Sequence, residues 1–164
     1  MSRSKTILIS TIIAAAITAA FIPSASRTVQ TKAVIPTTIP TPEKSLFSEY
    51  RGVKIGTPLT DVRAKIGTTK DKTQSDTGDQ YIFSDSESVQ FYYDTSKNVS
   101  AIMITFTGDV SKAPTAKDVF GDDVAPNADG MVFKMEKYPK AGYWISYTRT
   151  SGSDAMVNIA LQKM

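Results

Sequence analysis

Gly56-Thr-Pro-Leu-Thr-Asp-Val-Arg-Ala-Lys-Ile-Gly67 reads as a short helix with a marked beginning and end. Thr57 has the side chain of an N-cap, and Pro58 stands at the first helical position, where a missing N–H costs nothing. Leu59, Val62 and Ile66 recur at i, i+3 and i+7, an apolar stripe that must be buried against something. Gly67 stands where a left-handed residue closes a helix. Downstream of Gly67 the chain takes on the period of strands, so the stretch predicts a helix laid on a sheet.

After a polar, turn-rich stretch from Thr68 to Gly78, read as a loop, the period becomes two. Tyr81 and Phe83 alternate with Ile82, and Val89, Phe91 and Tyr93 alternate with Gln90 and Tyr92. Asp94-Thr-Ser-Lys-Asn98 has the composition of a hairpin turn, and Ala101 to Phe106 returns with Ile102, Ile104 and Phe106 on one face. Upstream, Ser45 to Val53 reads as a further short helix, with Ser45 and Ser48 as caps and Gly52 as its end.

The order then recurs. Thr115 is followed three residues on by Asp118, a capping box with Asp in place of Glu, ahead of Val119-Phe120-Gly121. Met131, Phe133 and Met135 alternate with Val132, Lys134 and Glu136; Tyr143, Ile145 and Tyr147 alternate with Trp144, Ser146 and Thr148. A turn from Arg149 to Asp154 leads to Val157, Ile159 and Leu161. The last strands of the two series lie about 55 residues apart, the spacing of a duplicated supersecondary unit. The alternative is that any two antiparallel hairpins look alike. The expected fold is α+β: two α-βββ repeats, 45–107 and 108–164, forming an antiparallel sheet of about six strands with helices packed on one face.

Composition restricts the function. The chain has no cysteine and no histidine. Disulfides and thiolate nucleophiles are therefore excluded, along with the commonest general base and zinc ligand. The net charge of +3 misleads. Arg3, Lys5, Arg27, Lys32 and Glu43 all precede residue 44, and the remaining chain has 15 basic and 15 acidic side chains. A neutral domain lacks the basic stripe that binds nucleic acid, so no nucleic-acid partner is expected.

Residues 1–26 have the pattern of an export signal: Arg3 and Lys5, an apolar run from Thr6 to Ile22, and small residues at Pro23-Ser-Ala-Ser26. Cleaved leader and retained N-terminal membrane anchor both fit, and either places the remainder outside the cytoplasm: periplasmic, extracellular or anchored. Residues 27–44, with Pro36, Pro40 and Pro42, form a Thr/Pro-rich linker. Membrane contact is expected only through the N-terminal segment.

Gly52-Val-Lys-Ile-Gly56-Thr-Pro-Leu-Thr-Asp-Val-Arg-Ala-Lys-Ile-Gly67, with a polar loop and Phe91-Tyr-Tyr-Asp94 after it, resembles the SmpA/OmlA (BamE-like) domain. That family's pattern is a Gly-x-Thr/Ser turn, a "DVR..LG" helix and a β-meander, matched here over residues 45–107. Residues 108–164 resemble a second, weaker copy, similar to the tandem units of β-lactamase inhibitor protein. The resemblance implies helices on an antiparallel sheet, export to the cell envelope, and work by protein contact rather than chemistry. The chain departs from both in having no cysteine, neither one to acylate nor one to oxidise.

A sheet covered on one face leaves the other free. By alternation Tyr92, Met103, Trp144 and Met156 point away from Phe91, Ile102, Ile104, Ile145 and Val157. Trp, Tyr and Met are enriched at interface cores, so these four are the candidate binding residues, with the lone Trp144 as anchor. A register slip of one residue would exchange the faces and make them core. Asp122, Asp123, Asn127 and Asp129 with Gly130 resemble a fragment of a calcium loop but lack the terminal Glu, and Asp85 and Glu87 stand in a turn without a cleft. No catalytic residue, cofactor or metal is assigned. The expected function is an exported, non-enzymatic protein-binding module. The alternatives are a secreted inhibitor or sensor domain that binds a peptide or small ligand and, less favoured, a histidine-free hydrolase.

Overall fold

The computed structural model describes residues 43–164. Residues 1–26, read above as an export signal, and all of the expected linker before Glu43 lie outside the described residues. Helix α1 spans Leu59–Lys65 and α2 spans Ala116–Phe120. The strands are β1 (Asp71–Gln74), β2 (Gly78–Ser84), β3 (Glu87–Tyr93), β4 (Val99–Thr107), β5 (Val132–Tyr138), β6 (Tyr143–Arg149) and β7 (Met156–Lys163). They form one antiparallel sheet in the order β1-β2-β3-β4-β7-β6-β5. The class is α+β, with seven strands rather than about six.

The extra strand is β1, inside the stretch read from sequence as a loop. Its four side chains are all exposed, so it leaves no alternation to read. The Ser45–Val53 helix is also absent. Backbone bonds in both directions join Tyr50 and Val53 around Arg51 and Gly52, at φ 50° and 76°. Two successive positive φ values close a tight reverse turn that no helix accommodates. Ser45 does not cap; its hydroxyl donates to the Phe47 carbonyl.

The apolar stripe of α1 is buried as its spacing requires: Val62 and Ile66 lie in the core and Leu59 packs against it. Its ends differ from expectation. Pro58 itself holds the cap position at ψ 145°, and the Thr57 hydroxyl instead accepts from the Lys54 N–H. At the other end Ile66 turns extended, with φ −71° and ψ 109°, so Gly67 closes nothing in a left-handed conformation. For α2 the capping box forms in full. Thr115 Oγ1 accepts from the Asp118 N–H, the Asp118 carboxylate accepts from the Thr115 N–H, and Gly121 at φ 89° ends the helix.

One face of the sheet supplies the core: Tyr81, Val89, Phe91, Ile102, Ile104, Ile145, Tyr147, Val157, Ile159 and Leu161, all buried in one cluster with Val62, Val119 and Phe120 of the helices. At about 25 cal/mol per Å² of apolar surface, such aromatic and branched side chains each contribute roughly 1.5–3 kcal/mol. The alternate residues form the second face, which is open among the described residues.

Candidate functional site

Antiparallel pairing sets residues side by side across the sheet, so the open face can be traced row by row. One row runs Gly78, Tyr92, Ala101, Gln162, Trp144, Lys137. The next runs Thr73, Gln80, Gln90, Met103, Ala160, Ser146, Met135. A third runs Asp71, Ile82, Ser88, Thr105, Asn158, Thr148, Phe133. In these rows charged side chains stand only on the edge strands, at Asp71 and Lys137. Between them the face is amide, hydroxyl, alanine and a few large apolar groups.

The rows explain a depression of about 570 Å³ at the centre of this face. Ala101 and Ala160, short side chains where β4 and β7 meet, form its floor. Tyr92 and Met103 rise on one side, Trp144 and Met164 on the other, and Gln162 offers an amide along it. Tyr92 is 37% exposed and Met103 43%.

Three of the four sequence-assigned binding residues, Trp144, Tyr92 and Met103, therefore line one depression. Met156 does not. It lies on the open face opposite Thr107, six residues along β7 from Gln162, which at ~3.4 Å per residue is about 20 Å away. Sequence reading missed Met164 at the rim and the strongly exposed Phe133 and Met135, at 57% and 50%. On β5 the charged residues, Lys134 and Glu136, take the core side. Lys134 Nζ sits 4.7 Å from the centre of the Phe120 ring and 3.5 Å from Asp122. The apolar residues of β5 are thereby displaced to the open side.

The most elaborate polar group lies under the other face and was also missed. Asp79, fully buried on β2, receives two hydrogen bonds from Arg63 of α1, at 2.9 and 2.8 Å. The Tyr93 hydroxyl donates at 2.9 Å, the Tyr81 hydroxyl at 3.1 Å and the Ser75 N–H at 3.1 Å. Burial alone would raise the Asp79 pKa. The Arg63, tyrosine and backbone donors outweigh it and hold the carboxyl below the usual carboxylate range. Burial, together with this carboxylate, pushes the Tyr93 hydroxyl well above its ordinary value. With five donors around it, the carboxylate has no lone pair left over for a substrate proton, and it serves to clamp α1 to the sheet.

The other carboxylates singled out in the sequence are engaged at the surface. Asp85 pairs with Lys70, and Glu87 accepts from the Tyr50 hydroxyl at 2.6 Å and from Arg51. Asp122 and Asp123 pair with Lys134 and Lys117. Asn127 Oδ1 accepts from the Asp129 and Met131 N–H groups, an ordinary Asx-type turn.

Comparison with known proteins returns no matching family model, curated protein or solved structure.

Proposed function

We propose that the protein is an exported, non-enzymatic protein-binding module of the cell envelope, which holds its partner on the open face of the sheet. One observation carries this reading: across five strands the three rows of that face have no charge, and at its centre Tyr92, Met103 and Trp144 surround a floor of alanines, where the one charged lining residue, Lys163, is paired with Asp94. Depletion of charge with enrichment of Trp, Tyr and Met is the compositional mark of an interface core. The resemblance to SmpA/OmlA domains supports the same use. Export rests on the pattern of residues 1–26 alone.

Within this reading the chain is a degenerate duplication, α1 with β2–β4 and α2 with β5–β7. The sheet order is symmetric about the β4–β7 seam, where Ile104 stands opposite Ile159, its counterpart 55 residues on. The single strand β1 is the departure from symmetry.

The test is crosslinking of the exported protein in cells, with and without Trp144→Ala. Loss of an interface Trp weakens binding by about 2 kcal/mol or more. Trp144 is only half buried, so the thermal midpoint should stay nearly constant. Unfolding of the variant, or undiminished capture, would sink the proposal. A second reading, an inhibitor or sensor domain for a peptide or small ligand, draws on the volume of the depression, which is of the size small ligands occupy. Saturable quenching of Trp144, the chain's one tryptophan, by a small compound would favour it.

A further inference from the structure

Among the described residues the outer edge of β5 is the long open edge of the sheet; the opposite edge is the four-residue β1, which carries Asp71 and Lys72. Seven residues of edge backbone without a proline form a template for another strand. A charge turned inward on an edge ordinarily blocks such pairing. Here there are two, of opposite sign, on either side of Met135: Lys134 and Glu136. Their mutual distance, 3.4 Å, and that from Lys134 to Asp122, 3.5 Å, exceed the ~2.8 Å of a charge-assisted hydrogen bond, so each can take a further partner.

The order of these side chains makes the strand complementary to its own antiparallel copy. A twofold axis through Met135 sets Lys134 opposite Glu136 of the second copy, and Glu136 opposite its Lys134. On the open side the same operation sets Phe133 opposite Lys137, twice. Slipping the register by two residues brings Lys134 against Lys134 in one direction and Glu136 against Glu136 in the other. Like charges directly opposite are destabilising, so one register is selected. An isologous contact of this kind closes at two subunits, whereas β5 on β1 would propagate without end.

We propose that β5 pairs antiparallel with β5 of a second copy of this chain, with Met135 against itself, joining two sheets into one. The open faces then run on continuously through the paired Met135 side chains. The proposal stands whether or not that face binds a partner.

The absence of cysteine supplies the test, because any introduced thiol is the only one present. The full-length chain carrying Met135→Cys is oxidised and resolved without reductant. Opposed residues in antiparallel strands have Cα atoms about 4.5–5.5 Å apart, inside disulfide range, so a covalent dimer is expected. Phe133→Cys or Lys137→Cys alone should not link, since like positions lie roughly 13 Å apart; the two mixed should. Lys134→Glu and Glu136→Lys should each lower the crosslinked fraction of Met135→Cys about tenfold, and the double exchange should restore it. Equal linking by all three thiols, or linking through Met103→Cys instead, overturns the edge pairing. So does failure of the exchange to restore it. Sedimentation of the unsubstituted chain needs no variant to fold: a monomer at every concentration overturns it too.

Discussion

Replacing Arg63 by Met removes two charge-assisted hydrogen bonds and the counter-charge from Asp79, which is 0% exposed. Breaking a buried pair from this side strands a carboxylate that water cannot reach, at about 3–5 kcal/mol. The tyrosine and Ser75 donors remain, so the lower end, about 3 kcal/mol, is expected. For a domain of this size that is a fall of roughly 12 °C in thermal midpoint. Asp79→Asn is milder, about 1–2 kcal/mol, because the side chain of Arg63 is 33% exposed and can turn to solvent. The double variant should cost less than the sum. The pH dependence comes from the lowered Asp79 pKa. Its contribution is complete above the unfolded value of about 3.9 and is lost as pH falls below that toward the folded one. In Arg63→Met the stranded carboxyl takes up a proton more readily, so its deficit against the parent narrows in acid. Calorimetric melts of the four proteins from neutral to acid pH read all of this. Equal costs for the two single changes, or a deficit that widens in acid, would refute the clamp.

Filling the depression with Ala160→Leu should abolish partner capture while leaving the melt within ~1 kcal/mol, since the added methylenes point to solvent; Met156→Ala, remote from the depression, should leave capture intact. Thr115→Ala, which removes the hydroxyl half of the α2 capping box and leaves the bond from the backbone N–H of residue 115 to Asp118, should cost about 1 kcal/mol by chemical denaturation. Gly121→Ala places a Cβ at φ 89° and should cost a comparable amount, with no change in denaturant slope.

The sequence was most informative where burial imposes a period. The α1 stripe, the alternation of β3, β4, β6 and β7, and the capping box of α2 are all in the structure as read. Their physics is local: one face must leave water, and spacing says which. Strand β1 was hidden because neither of its faces is buried. The N-terminal turn was hidden because Arg51 supplies a positive φ that glycine ordinarily provides; its guanidinium stacks 3.9 Å from the centre of the Phe83 ring. The Arg63–Asp79 clamp joins residues 16 apart and puts a carboxylate where alternation expects an apolar group. Of the candidate site, the shared face of Tyr92, Met103 and Trp144 was legible. The depression itself depends on Ala101 and Ala160 meeting at a seam, and strand order across the sheet is not written in any one segment.

That seam has a consequence for how the chain matures. Strand β7 is the last of the seven in chain order yet lies in the middle of the sheet, bridging β4 to β6. A nascent chain that has not yet reached Met156 holds one meander, β1–β4, and one hairpin, β5–β6, with nothing between them. The keystone is set only once β7 has left the ribosome. Deleting Met156–Lys163 should accordingly split the molecule down its centre.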